Sequence, residues 1–393
     1  MLSALPFLPS LAPPVRARGF SRCAKVSVLS PYPPTWGGLA TFTAAFSEAL
    51  SGHGVDVSVV RVADDSMPAG GEVVGELVNG SAPSAAKCVD LLNQSDVAVI
   101  QYDNGIYGGV DGNDVVDIIG GLRIPSIVVA HAVLKDPTPH QLSLLAWIGA
   151  TADQVVVMSE VAKQRLCAGY GVDRRKVTTI SYGAVVPSGP PTKRPSRPTV
   201  LTWGLMAPGK GIERVIEAMS SLNHLPGRPR YLVVGPTHPK VLAEDGEAYR
   251  DALTEQVRRS GIADSVVLDS RYFSGPMLTA LVQSANVVVL PYDSTDQVSS
   301  GALADAVASG RPVVATAFPH AVELLCNGAG VIVDHDDPGA LVAALRSILT
   351  QPRLAGSMAA EARRLAPEMA WPVVAAAYLR LAQRLIADRP ALI

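Results

Sequence analysis

The sequence predicts an α/β protein made of two consecutive doubly wound domains. Three observations carry that expectation. Short runs rich in valine and isoleucine alternate with helical patterns from Ala24 onward, and unbroken apolar runs are what strands look like when helices cover both faces of a parallel sheet. The stretch Val186–Pro198 interrupts the alternation with five prolines among small and basic residues, a composition that suits a linker and neither a helix nor a central strand. The length, 393 residues, is two domains' worth at ~100–200 residues each.

In chain order, the first half places strands at Lys25–Ser30, Val55–Val60, Asp96–Gln101, Ser126–Ala130 and Gln154–Met158. Helical segments fall between them, at Leu39–Ser51, Ser84–Asn93 and Thr138–Ala150, and Gly52 and Gly54 are placed to stop the first of these. After the linker the strands are Thr199–Trp203, Tyr231–Val234, Val266–Leu268, Val287–Leu290, Pro312–Ala315 and Val331–Val333. Helices near Gly339–Thr350, Arg353–Leu365 and Val373–Ala387 close the chain. The domain expectation is a flexible extension over 1–22, a first domain over 23–186, a linker over 187–198 and a second domain over 199–370. Doubly wound sheets bind ligands beyond the carboxyl ends of their strands, and two such domains facing each other form a cleft. Residues just after each strand are therefore the ones to inspect.

Composition narrows the function classes. The chain is 48% apolar and 17% charged with a formal net charge of −2. No apolar run reaches the ~18–20 residues of a membrane span, no basic stripe points to nucleic acid, and the apolar fraction argues against disorder. Cys23, Cys88, Cys167 and Cys326 are widely spaced, which reads as reduced thiols rather than a zinc site or disulfide framework. The N-terminal MLSALPFLPSLAPPV is apolar but lacks an early positive charge and is broken by prolines, unlike a signal peptide. Nothing in the sequence sets an oligomeric state.

Several strand ends carry candidate chemistry. Gly37-Gly38 follows the first strand and opens the first helix, where the backbone can approach an anion such as a diphosphate; the ordinary alternative is a turn after Pro33-Pro34. His131 ends the run Ile-Val-Val-Ala. A histidine on an apolar strand is usually a satisfied core residue, but at a strand's carboxyl end it can serve a phosphate or sugar oxygen. Gln101, Asp103 and Asn104 follow another central strand and suit a hydroxyl-rich ligand on the acceptor side.

Gly204-Leu-Met-Ala-Pro-Gly209-Lys210-Gly211 falls one residue short of a P-loop, because Gly211 stands where a magnesium-binding hydroxyl is needed. Lys210 still serves as a compact positive charge for phosphate, against the plainer reading of a solvated lysine. The richest segment runs from Pro291 to Ala315. A helix starting near Ser299–Gly301 would offer the amides of Ser300 and Gly301 to an anion, while Gln297 and Asp305 could bind sugar hydroxyls; the plainer reading is a capped helix with two incidental polar residues. No Asp-x-Asp metal motif follows a strand convincingly, and the acidic run at Asp334–Asp337 reads better as an N-cap before Pro338.

Taken in order, the Gly37-Gly38 loop, His131, the Gly-Lys-Gly loop around Lys210 and the Asp305…Gly310-Arg-Pro-Val-Val-Ala stretch resemble the retaining glycosyltransferases of family four, over nearly the whole chain from Lys25. The resemblance implies the GT-B fold: two Rossmann-like domains facing across a cleft, with the helix over 371–388 crossing back onto the first. It further implies transfer of a hexose, mannose or glucose, from a nucleoside-diphosphate sugar to a carbohydrate, glycoside or lipid hydroxyl, with retained configuration and with neither metal nor cofactor. Gly37 and Gly38 would then approach the donor diphosphate, His131 would lie by the reacting sugar, and Lys210 would neutralise the leaving group. Ser299, Ser300 and Gly301 would cradle phosphate, with Gln297 and Asp305 holding the nucleotide sugar.

The chain departs from the family pattern at three places. Gln297 and Asp305 stand where two glutamates seven residues apart are usual, and Leu205 replaces an arginine that often accompanies the loop lysine. A subgroup with Gln-x-x-Ser-Gly, Thr237-His238-Pro239 and Tyr102–Gly109 is similar to this chain, which favours an active variant. The alternatives are a catalytically silent sugar-nucleotide sensor or partner, and an epimerase or phosphorylase on the same fold. A cytoplasmic location is expected, with peripheral contact at the inner membrane face if the acceptor is a lipid.

Overall fold

The computed structural model describes residues 25–64, 71–189, 192, 195–273 and 275–389. The predicted extension over 1–22, Cys23 and part of the proline-rich linker lie outside the described residues.

The strand runs form two sheets. In the first, β1 (Lys25–Ser30), β2 (Asp56–Val62), β3 (Val73–Leu77), β4 (Val97–Tyr102), β5 (Ser126–Ala130), β6 (Gln154–Val157) and β7 (Val177–Thr179) lie in the order β3-β2-β1-β4-β5-β6-β7. In the second, β8 (Thr199–Trp203), β9 (Arg230–Val234), β10 (Val266–Asp269), β11 (Val287–Leu290), β12 (Val313–Thr316) and β13 (Gly330–Val333) lie in the order β10-β9-β8-β11-β12-β13. All neighbouring strands pair parallel. The central strands are buried on both faces, Val97–Tyr102 along its whole length, which is why their sequences show no alternation. Strand order reverses between β1 and β4 and again between β8 and β11, and these are the switch points where a crevice opens at the carboxyl ends.

Two edge strands, β3 and β7, were not expected from the sequence. The first is Val-Val-Gly-Glu-Leu and only partly buried, and the second is three residues long. An edge strand is covered less completely, so the continuous apolar signature fades. The first helix runs Gly38–Gly52, one residue earlier than its periodicity suggested, and Asp337 caps the helix Pro338–Thr350 by accepting from the Ala340 amide at 2.8 Å.

The last helix, Trp371–Asp388, packs on the first: Trp371 meets Phe42 at 5.0 Å and Tyr378 meets Phe46 at 4.8 Å, both edge-on. The chain returns to the first sheet's side through hydrogen bonds between Ala184 and the Met369–Trp371 corner.

Polar contacts clasp the two lobes. Asp296 accepts the Lys135 amide on both carboxylate oxygens at 3.0 Å and pairs with Arg165. Glu323 accepts the Glu160 and Val161 amides at 2.9 and 3.0 Å, so a carboxylate of one lobe caps the helix Glu160–Gly169 of the other. An acid at a helix start is favoured by the unpaired amides and the dipole. Glu323→Ala is therefore expected to lower stability by about 1–2 kcal/mol and to enlarge the radius of gyration of the free protein. Urea melts and small-angle scattering check both, and a variant as compact and as stable as the wild type would contradict it. At the cleft mouth the Trp36 and Tyr272 rings stack at 5.8 Å and 7°, and Thr41 Oγ1 lies 2.9 Å from Tyr272 Oη.

Candidate active site

On the first lobe, β1 ends at Ser30 and the chain reaches Gly37 with φ +147°, a backbone conformation that side chains rarely adopt. A Cβ at Gly37 or Gly38 would meet nothing within 4 Å, so both border open space. His131 follows β5 and is buried, with its carbonyl accepting from Ser299 Oγ of the other lobe at 2.8 Å. Burial without a charged partner pulls the imidazole down to about 3, so the ring is neutral. Its Nε2 stands 2.6 Å from Gln101 Oε1.

On the second lobe, β11 runs into the loop Pro291–Ser299, and the helix Gly301–Ala308 begins with Ser300 Oγ capping the Leu303 amide at 3.3 Å. The sequence expectation that both the Ser300 and Gly301 amides stand open needs correction. The Ser300 N–H donates to His320 Nδ1 at 2.9 Å, because the helix Pro319–Leu325 sets that buried ring directly beneath the loop. Gly301 is small for a packing reason as well as a ligand reason: a Cβ there would lie 2.8 Å from Tyr182 Oη. The Gln297 amide donates to the Ser299 carbonyl at 2.9 Å, which shapes the loop.

Lys210 stands 4.6 Å from the centre of the Tyr292 ring, in cation–π range. No carboxylate pairs with Lys210 among the described residues, and burial lowers its pKa. Gly211, the residue that spoils the P-loop pattern, has a structural cause. Its φ is +66° and a Cβ would fall 1.8 Å from the Pro291 carbonyl oxygen, so no hydroxyl side chain fits there.

A cavity of about 410 Å³ opens between these parts. The first lobe lines it with Gly38, Leu39, Asp103, His131 to Leu134 and Tyr182, and the second with Ser294 and Asp296 to Gly301. Of the residues singled out in the sequence, Gly38, Asp103, His131, Gln297, Ser299, Ser300 and Gly301 thus share one space. Gly37 adjoins it. Lys210, over the Tyr292 ring, and Asp305, further along the helix, are not among the lining residues, and Gln101 is fully buried behind His131. Asn104 is turned to its own strand, accepting from Tyr102 Oη at 3.1 Å.

Two carboxylates give the site its electrostatics. Among the described residues Asp305 has no charged partner, and burial pushes its carboxyl up to about 7. Asp103 is raised chiefly by burial, with the Asn104 amide and the Lys240 ammonium of the opposite lobe pulling the other way. Among the described residues no three His, Cys, Asp or Glu side chains gather as a metal-binding group, and no helix is long and apolar enough to cross a membrane. Sequence reading missed Tyr182, His320 and Asp296. Tyr182 follows the unrecognised strand β7, His320 lies inside a helix, and Asp296 is one acid of a polar loop with no local mark to single it out.

Comparison with known proteins bears on the family and the fold. Residues 36–185 match the family model described as Glycosyltransferase Family 4, and residues 197–351 match Glycosyl transferases group 1. A D-inositol 3-phosphate glycosyltransferase of Kineococcus radiotolerans is 27% identical over 265 residues, covering 61% of this chain and 59% of that protein. A GDP-mannose-dependent alpha-(1-6)-phosphatidylinositol monomannoside mannosyltransferase of Mycolicibacterium smegmatis is 25% identical over 270 residues, covering 63% and 66%. The chain spans between 54% and 66% of the length of the curated relatives it matches. Among solved structures, a glycosyltransferase from Rickettsia africae superposes with a TM-score of 0.72 at 14% identity, over 94% of this chain and all of that one. HepE from Anabaena, in complex with UDP, gives 0.70 at 15% identity over 92% of this chain and all of that one. Identities this low speak for the fold alone, and that fold is GT-B. With its two halves matched in order on either side of the cleft, the chain belongs to the group 1 glycosyl transferases of glycosyltransferase family 4.

Proposed function

We propose that this protein transfers a hexose, mannose or glucose, from a nucleoside-diphosphate sugar to a hydroxyl of a carbohydrate, glycoside or lipid acceptor, with retained configuration and without a metal ion. The observation that carries the reading is the shared cavity. It joins a neutral strand-end histidine and a glycine-lined helix start of the first lobe to a helix N-terminus of the second, with an unpaired ammonium close behind.

The chemistry follows from those parts. When the sugar–oxygen bond breaks, negative charge collects on the departing diphosphate. The Gly301 amide at the helix start and the Lys210 ammonium then oppose that charge in a site shielded from water, usually the largest catalytic contribution. Gly37 and Gly38 let the main chain come close to the same anion. Asp305 and Gln297 hold donor hydroxyls, and Ser299 keeps its loop tied to the carbonyl of His131. The acceptor enters from the first lobe near Asp103 and attacks on the face the diphosphate leaves. In this reading the protein works in the cytoplasm and meets a lipid acceptor at the inner membrane face. A relative named for GDP-mannose and a structural neighbour holding UDP support a nucleotide-sugar donor.

One observation favours a second reading, a silent sugar-nucleotide sensor: Gln297 brings no charge and spends its amide on Ser299. Incubation with UDP- and GDP-sugars and an acceptor panel separates the two. Released nucleotide with a glycosylated product supports transfer, and saturable donor binding without turnover supports the sensor. His131→Ala is expected to lower turnover about a hundredfold while the nucleotide dissociation constant stays within about twofold. A collapse of nucleotide affinity instead would move His131 out of the sugar subsite.

A further inference from the structure

Gln101 lies behind His131, and the fold locks the two together. The parallel register sets Gln101 beside Val129 on the neighbouring strand, so both side chains emerge at the same carboxyl edge. The Tyr107 hydroxyl donates to the Gln101 carbonyl at 2.7 Å, and the His131 amide donates to the Tyr102 carbonyl at 2.9 Å. Phe42 meets the imidazole edge-on at 5.2 Å. Within this frame Gln101 Oε1 lies 2.6 Å from His131 Nε2.

A carbonyl oxygen only accepts, so Nε2 carries the ring proton. A neutral imidazole has one N–H, hence Nδ1 keeps its lone pair. Nδ1 has no hydrogen-bond partner among the described residues, and the histidine borders the cavity. Burial keeps the ring neutral, since a charged imidazolium there would lose its hydration without gaining an anion.

We propose that Gln101 is a positioning residue that fixes His131 in the Nε2-protonated form, so that Nδ1 meets the bound sugar as an acceptor. The group it selects is a hydroxyl that donates a hydrogen bond, which a fluoro or methoxy substituent cannot do. The kinetic consequence rests on the glycosyl-transfer reading, whereas the protonation pattern does not. In this arrangement the Gln101 NH2 group is buried without a hydrogen-bond partner among the described residues, so the side chain's polar anchor is its contact with His131.

The test is nitrogen NMR of the full chain labelled with 15N-histidine, the His131 signals being identified by their loss in His131→Ala. The expected spectrum shows a protonated-type Nε2 and a lone-pair-type Nδ1 for His131; a protonated Nδ1 overturns the proposal. Gln101→Met keeps the side chain's length and removes its oxygen. It is expected to abolish the tautomer preference and to reduce kcat about tenfold, with KM for the donor within about twofold. An unchanged tautomer in that variant overturns the proposal, and a variant that fails to fold leaves the wild-type spectrum to decide. If the wild-type tautomer is as stated but no sugar nucleotide is turned over, the transfer reading fails and the positioning of His131 stands.

Discussion

Lys210→Ala is expected to lower the turnover of a nucleotide-sugar donor roughly 10²–10³-fold while leaving stability within about 1 kcal/mol. The asymmetry follows from where the ammonium sits. In the folded protein it faces the Tyr292 ring at 4.6 Å with no carboxylate opposite among the described residues, so a cation–π contact is what offsets the desolvation it suffers. Truncation therefore removes little that holds the fold together. In the reaction the same ammonium meets charge that is absent from the bound donor's sugar and grows as the bond to it breaks, so its value is greatest at the transition state. Initial rates of nucleotide release at saturating donor, beside a thermal melt, check the prediction. Equal donor kinetics for variant and wild type would remove Lys210 from the mechanism.

The second large effect is a change in pH dependence. Asp305 carries a carboxyl pushed by burial to about 7, well above the ordinary carboxylate range, so the folded protein binds a proton there more tightly than the unfolded chain. Stability attached to this group is full below the unfolded carboxyl's pKa, falls as pH rises and is gone once pH passes about 7. Asp305→Asn keeps the size and removes the ionisation. The variant should match the wild type near pH 4 and exceed it above pH 7 by about 2 kcal/mol, a figure discounted from the full linkage value because the group keeps some solvent contact. Urea melts across that range measure the difference. Parallel curves at all pH values would mean that a neighbour compensates the charge in the free protein.

These two residues also illustrate what a single sequence can disclose. The loop that carries Lys210 was legible because it follows an obvious strand and lacks only the hydroxyl of a P-loop, and the cause of that lack, the Pro291 carbonyl pressed against Gly211, appears only in three dimensions. The central strands were legible because burial on both faces leaves one-dimensional apolar runs. The edge strands β3 and β7 were not, since partial cover imposes no such run, and Tyr182 was overlooked with them. The blocked Ser300 amide was hidden for a different reason. His320 lies twenty residues further along, and nothing local marks a helix-borne histidine as the cap of another helix's first amide. Gln101 was read as a ligand contact from its strand-end position. The register instead turns it onto His131, a pairing between strands that spacing along the chain does not encode.

The stacked Trp36 and Tyr272 rings have a practical use. They belong to opposite lobes, lie nearly parallel, and are partly open to solvent at 53% and 37%. Parting the lobes would strip Trp36 of its aromatic neighbour and bathe the indole in water, altering its emission. The molecule thus contains its own optical gauge of opening, readable in rapid mixing with sugar nucleotide and needing no attached dye, with Tyr272→Leu as the silent control.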